Sequence, residues 1–462
     1  MSIPSLEALP VRPGARLLPA ASYWWACAGF ALALASVTTL TSHRVWGLCA
    51  AVGYGTAALV ARRTGSPWAW AAARPALAGA VAVPLVVLMV MGVAQSEVGV
   101  VEHSGSLLLS GGSPYVSHPV EVGDYNPYLP GMALFGLPHA LLGEVPLADA
   151  RLWFAVVFLA SLGLAARLGP GSRQGEGRAG TAVVPLLAAF PAVALLLAVG
   201  GVDLPVIGLM CLALTLAGRR GTGTWAGVAT GAAAALKWTA WPLLPVALVL
   251  VAAVSGRRAA VRAGWVALVV ACAVVLPSAL VDPRAFVEQV VLFPLGAGHA
   301  GSPATSPLPG YLLATHVPGG RTLAVAALAA SAVAIGVSLT VRPPRTLVAA
   351  ADRLALGLGL AMCLMPATRF GYLVYPMVLL VWFRRETWTR WAAKTTGRVV
   401  AGRGTVVVTG GAGRAVVEAL AFTGRAEAET PAVTGRARRG EKEGPAPSEE
   451  AGRGVRECQP TV

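Results

Sequence analysis

Residues 76–115 read ALAGAVAVPLVVLMVMGVAQSEVGVVEHSGSLLLSGGSPY. The first twenty, 76 to 95, carry no charge, and as a helix rising about 1.5 Å per residue they cover a bilayer core of roughly 30 Å. Glu97 and Glu102 follow within two turns of that exit. The same alternation, an apolar run and then a short polar stretch, repeats along all 462 residues, of which 56% are hydrophobic and 12% charged. A soluble chain carries a charged fraction near 25%. The sequence therefore predicts an all-α, polytopic transmembrane bundle.

Apolar runs place about twelve spans, near 20–41, 46–61, 76–95, 148–167, 181–199, 203–218, 223–237, 239–255, 263–281, 322–341, 347–366 and 370–383. An even number puts both termini on one side. Lys and Arg concentrate in cytoplasmic loops of membrane proteins, which gives the orientation a test. Of 22 basic residues before position 384, all but Arg44, Arg151, Lys237, Arg284, Arg321 and Arg369 share a side with the N-terminus. Nine of twelve acids and all six histidines fall on the other side. The expected setting is a bacterial plasma membrane with cytoplasmic termini; the heavy Gly, Ala and Arg usage fits a GC-rich genome of actinobacterial type. The short runs flanking Lys237 also allow a re-entrant hairpin.

The net charge of +15 does not indicate nucleic acid, because the basic residues are scattered as pairs between apolar runs and form no stripe. Five of six cysteines fall inside apolar spans, so no disulfide framework is expected. Three regions follow: a cytoplasmic lead-in over 1–18, without a signal-peptide pattern, a membrane domain over 19–384, and a largely disordered cytoplasmic tail over 385–462. Within the tail, VVVTGGAGRAVVEAL resembles a strand, a Gly turn and a helix, but too little chain follows for a dinucleotide-binding sheet.

Two outer loops are long, 96–147 and 282–321. In the first, GGSPYVSHPVEVGDYNPYLPG combines Pro and Gly turns with Tyr115, Tyr125 and Tyr128, rings suited to a membrane surface. In the second, Phe286, Val290, Val291 and Phe293 mark a short surface helix. Together the loops are expected to roof a cavity.

The two loops and the segments after them carry a resemblance. EVGVVEHSGSLLLSGGSPY followed by YNPYLPGMALFGLP resembles the first outer-loop pattern of the GT-C membrane glycosyltransferases, in particular the polyprenyl-phosphate-mannose-dependent branch, glycosyltransferase family 87. Glu97 takes the position of an acid that is usually Asp, followed by Leu108, Leu109, Gly111, Pro114 and Tyr115. ALKWTAWPLLPVALVL, VDPRAFVEQVVLFPLG and MPATRFGYLVYPMVLLVW resemble later segments, so the likeness spreads over roughly 80–383.

The resemblance implies inverting transfer of one hexose, mannose in that branch, from a polyprenyl-phosphate donor to a lipid or glycan acceptor at the outer face, with no resident cofactor and a divalent metal left open. Glu97 is the implied general base. Arg369 and Lys237 are candidates for the donor phosphate, which needs charge-assisted hydrogen bonds as it departs; Lys237 reads equally well as a side chain snorkelling beside Trp238 and Trp241. Glu102, His103, Tyr115, Asp124 and Asp203 are acceptor-side or loop candidates. An offset of five residues turns Glu102 about 140° from Glu97 on a helix, which disfavours a carboxylate pair. Asp124 in GDYNPY and Asp203 after Gly200 and Gly201 also fit simple turn roles, and no metal-ligand spacing is present. A transporter or lipid flippase is the alternative class, although its ionisable groups would sit near the midplane of two repeats, whereas here the acids gather at one side.

Overall fold

The computed structural model describes residues 21–169, 177–294, 304–384, 398–400 and 406–408. The lead-in, nearly all of the tail, and the Gly turn and helix read after Val406–Val408 lie outside the described residues.

The membrane domain is a bundle of helices: α1 (Ser22–Val37), α2 (Thr41–Thr64), α3 (Trp70–Val90, with a π turn at Ala78–Ala82), α4 (Ser96–Gly111), α5 (Pro130–Leu142), α6 (Ala150–Leu168), α7 (Gly177–Ala188), α8 (Pro191–Val199), α9 (Asp203–Ala217), α10 (Gly223–Leu236), α11 (Trp238–Ser255), α12 (Arg257–Val281), α13 (Pro283–Phe286, continued by a π turn at Val287–Leu292), α14 (Pro309–His316), α15 (Gly320–Val341), α16 (Leu347–Leu364) and α17 (Phe370–Phe383). Among the described residues seven helices are long and apolar enough to cross a membrane, against about twelve crossings expected from apolar runs. The difference lies in shorter helices. The run 181–199 is split at Phe190, where Pro191 opens a new helix, and α9 and α10 have 15 and 14 residues.

Two apolar cores hold the bundle. In the first, α1, α2 and α3 close on α8: Trp46 Nε1 donates to the Ala80 carbonyl at 2.8 Å and the Tyr54 hydroxyl to the Ala189 carbonyl at 2.8 Å, so that two large aromatic residues are buried with their polar atoms satisfied. In the second, α9 is buried nearly all round by α6, α10, α11, α16 and α17. That explains why its sequence is apolar on every face. The outside is apolar too: only 11% of the most apolar window of α12 and of α15 is buried, as lipid-facing helices require. The chain is a multi-pass membrane protein.

Two expectations need correction. Tyr115, Tyr125 and Tyr128 are not surface anchors but are 3%, 2% and 5% exposed. The Tyr115 hydroxyl donates to the Tyr128 carbonyl at 2.9 Å, Tyr115 meets Phe286 edge-on, and Tyr125 stacks on Phe293 with centroids 4.4 Å apart. The segment around Phe286 is helical as expected, yet Val290 and Phe293 are buried under the first loop, not laid on a bilayer. Asp352 and Arg353, adjacent in sequence, face different partners: Asp352 takes a two-pronged contact from Arg384 at 2.8 Å, and Arg353 donates to the Arg342 carbonyl.

Candidate active site

The first loop is built so that α4 lies directly on α5. A Cβ on Gly105 would overlap the backbone of Gly136, and one on Gly136 would overlap the carbonyl of Val101, so only paired glycines allow this approach. Ahead of α5, Asn126 acts as a buried staple: its Nδ2 donates to Ser104 Oγ at 2.9 Å and to the Pro114 carbonyl, and its Oδ1 accepts from the Tyr128 amide at 3.0 Å. Gln289, fully buried on α13, accepts from the Asn126 amide at 3.0 Å and donates to the Val116 carbonyl at 2.5 Å. The two long loops are therefore one assembly.

The break between α10 and α11 positions Lys237. Its backbone is extended, which leaves the last carbonyls of α10 without intrahelical donors. The Leu129 amide donates to the Leu236 carbonyl and Trp241 Nε1 to the Ala234 carbonyl, both at 3.1 Å, and the first of these draws Tyr128 over the Lys237 side chain. Lys237 Nζ sits 5.3 Å from the Tyr128 ring centroid and 5.0 Å from that of Tyr372. It donates to Asp203 Oδ1 at 2.5 Å. The same oxygen accepts from the Tyr375 hydroxyl at 2.7 Å, which in turn accepts from Thr239. Lys237 is buried with a counter-charge, so the snorkelling alternative does not hold.

Asp203 reaches this place because Gly200 ends α8 with φ at +95° and the backbone turns at once into α9. Val98 and Arg151 pack against Gly200, where a side chain would have no room. Arg151 is itself 4% exposed, held by Asp149 at 2.6 Å and by the Val93 carbonyl at 2.9 Å, a clamp between the end of α3 and the start of α6.

Beside the Lys237–Asp203 pair lies a second ion pair. Arg369 Nη1 donates to Glu97 Oε1 across 272 positions of sequence. Arg369 is presented by a short strand-like pairing: the Thr368 amide donates to the Ala304 carbonyl at 3.0 Å, and the Ser306 amide to the Thr368 carbonyl at 2.9 Å. Glu97 stands in the first turn of α4, where the helix N-terminus favours a negative charge, with Ser96 Oγ on its Oε2 at 3.2 Å. The Glu97 carboxylate acts electrostatically on Lys237 and on Tyr128, so the two pairs form one polar cluster inside an apolar bundle.

The other candidates separate from it. Glu102 accepts from the Ala150 amide at 3.1 Å and lies 4.0 Å from His139 Nδ1, on a different side of α4 from Glu97. Its partial burial pushes the carboxyl above the usual range, the Ala150 amide opposing this. His103 is exposed. Asp124 accepts from the Val120 and Glu121 amides at 2.9 Å and is held below the ordinary Asp range by such amides, which is a turn role. Tyr115 is a packing residue. Among the described residues no three of His, Cys, Asp and Glu gather as a metal site. Sequence reasoning missed Tyr128 and Tyr372 as rings beside Lys237, and Tyr375 and Thr239 as the chain of hydroxyls behind Asp203; the spacing of Tyr372 and Tyr375, three apart at the head of a span, was the available signal.

Among known proteins, the profile of glycosyltransferase family 87 matches residues 126–367, more than half of the chain, with Tyr128, Asp203 and Lys237 inside the match and Glu97 and Arg369 outside it. No curated protein and no solved structure matches. With its helical membrane bundle and this match, the chain belongs to glycosyltransferase family 87 and is a membrane glycosyltransferase of GT-C type.

Proposed function

We propose that this glycosyltransferase moves one mannose from a polyprenyl-phosphate donor to a lipid or glycan acceptor at the outer face of a bacterial plasma membrane, with inversion at the anomeric carbon. The observation that carries the reading is the meeting of Glu97 and Arg369, an acid and a cation 272 positions apart in sequence, beside the buried Lys237–Asp203 pair.

In this reading Glu97 takes the proton of the acceptor hydroxyl as its oxygen bonds to the anomeric carbon. The bond from that carbon to the phosphate oxygen breaks, and polyprenyl phosphate leaves with the electron pair. Arg369 uses one donor on Glu97 and has four others in its fork. An arriving phosphate draws that fork toward itself and leaves the Glu97 oxygen to the acceptor. Lys237 adds positive charge behind it. An apolar groove of about 650 Å³, lined by Leu134, Phe135, Trp153, Leu209 and Val270 among others, runs to Leu236, the neighbour of Lys237. It supports a donor whose tail stays in lipid while its phosphate reaches the cations.

The test is transfer in membranes supplied with polyprenyl-phosphate mannose and envelope glycolipids. Glu97→Gln keeps the shape and removes the base, and is expected to slow transfer by about 10²- to 10⁴-fold. A wild-type rate in that variant would overturn the assignment.

A further inference from the structure

The start of α12 carries positive charge that the chain does not answer. Arg257, Arg258 and Arg262 are exposed, and among the described residues none of the three pairs with an acid. The sequence offers no neighbour to do so: between Asp203 and Asp282 there are five arginines and Lys237 but no Asp or Glu. At the far end of α12, Val281 lies beside Gly112 of the first loop, so the arginines stand at the end away from the loop assembly. Next to them, α11 and α12 leave a groove of about 360 Å³, lined by Leu248, Ala260, Val261, Gly264, Trp265 and Leu268 and so wholly apolar. Arg257, Val261, Gly264 and Leu268 recur at helical spacing, which sets the groove in line with Arg257. The groove exists because residue 264 has no side chain. On α10, Gly227 and Gly231 have a packing reason, since a Cβ there would overlap the Ala263 or Ala267 carbonyl of α12. A Cβ on Gly264 would meet only the tip of the Leu248 side chain, at 3.4 Å. Glycine weakens a helix relative to alanine, and here no close backbone requires it.

We propose that this is a binding site for an anionic phospholipid, with the headgroup phosphate on Arg257 and Arg258 and one acyl chain laid in the groove past Gly264. Side chains on a helix lean toward its N-terminus, so Arg262, about one turn further in, leans back toward the same phosphate while its stem stays on apolar surface. Arginine forks suit phosphate, and basic pockets between spanning helices select anionic headgroups. The juxtaposition selects the occupant. A free anion would leave the apolar groove empty, and a zwitterionic lipid would bring its own cation to the arginines. A second copy of the chain, seated here about a two-fold axis, would set these arginines against one another. An anionic lipid answers both the charge and the groove. The site rests on α11 and α12 alone and is independent of the reading of Glu97.

The experiment is native mass spectrometry of the full chain released from detergent, titrated with phosphatidylglycerol or with phosphatidylcholine of the same acyl chains. Wild type is expected to retain one phosphatidylglycerol about tenfold more tightly than phosphatidylcholine. Arg257→Gln, Arg258→Gln and Arg262→Gln combined should abolish that preference. Gly264→Leu fills the groove, keeps every charge and should weaken phosphatidylglycerol about tenfold. Arg342→Gln with Arg345→Gln, a basic pair elsewhere, should leave binding as in wild type. Thermal unfolding confirms that each variant is folded. Equal affinity of wild type for the two lipids, unchanged binding in folded Gly264→Leu, or displacement of the lipid by inorganic phosphate would overturn the site. A wild-type dimer that Gly264→Leu dissociates would overturn it too, by making the groove an interface between copies.

Discussion

Lys237 and Asp203 meet inside the bundle, 9% and 7% exposed, and their contact separates a structural role from a chemical one. Lys237→Met leaves the Asp203 carboxylate with the Tyr375 hydroxyl alone, and an uncompensated buried charge of this kind costs about 3–5 kcal/mol. Replacing both, as Lys237→Met with Asp203→Leu, should restore most of the thermal stability seen on unfolding in detergent. Transfer should stay lost in the double variant if Lys237 meets phosphate; recovered transfer would make the pair purely structural. At Arg369, Lys keeps the charge but not the fork, and the loss of a charge-assisted contact of about 1.5–3 kcal/mol predicts a fall in kcat/KM of about 10- to 100-fold. An unchanged value would take phosphate binding away from Arg369. Of the four charged residues in the two ion pairs, Lys237 stood out in the sequence as a lone charge among apolar residues, Glu97 and Arg369 through the family resemblance, and Asp203 as a candidate that also fitted a turn. Which partner each one has did not, because the pairs join positions 34 and 272 residues apart.

Between elements, the decisive contacts are α4 on α5 and α13 under the first loop. Gly136→Val drives a branched side chain into the Val101 carbonyl and should displace the whole of α4, with Glu97 on it. Overpacking of this kind costs about 1–3 kcal/mol or more, and the expected outcome is lower unfolding temperature together with lost transfer. Gln289→Leu acts differently. It leaves the Asn126 amide buried without an acceptor, about 1–3 kcal/mol, while the spanning helices are untouched. Hydrogen exchange should accelerate over 113–128 and stay unchanged in α9; uniform acceleration would mean that the loops are not a separate assembly. At this scale the tyrosines were misread for a physical reason. A ring with a polar tip suits a membrane interface and a hydrogen-bonded interior equally well, and only the position of Phe286 and Phe293 beside them decides for the interior.

For the molecule as a whole, the sequence assigns sixteen of the 22 basic residues before position 384 to loops that share a side with the N-terminus, and the polar cluster to the other side. Arg219 on the Leu168 carbonyl and Arg384 on Asp352 belong to the first side, and Glu97, Arg369 and the loop assembly to the second. Positive charge stays cytoplasmic, so a membrane-impermeant maleimide should label His103→Cys in intact cells and Arg62→Cys only after permeabilisation, both in a cysteine-free background. The reverse pattern would put the cluster in the cytosol and remove an outer-face lipid-linked donor.

By itself the sequence determined the class of the protein, because uncharged runs long enough to cross a bilayer are written in consecutive residues. It also offered Glu97, Lys237, Asp203 and Arg369 as candidates, through the family resemblance and through the lone charge at Lys237. Only the tertiary structure decided which of them meet, that the Tyr128 and Tyr372 rings flank Lys237 while Tyr375 bonds Asp203, and that Glu97 and Glu102 take different partners. Those are long-range packing outcomes, set by close approach at Gly105 and Gly136 and by the buried Asn126 and Gln289, and no local pattern encodes which distant backbone a side chain will find.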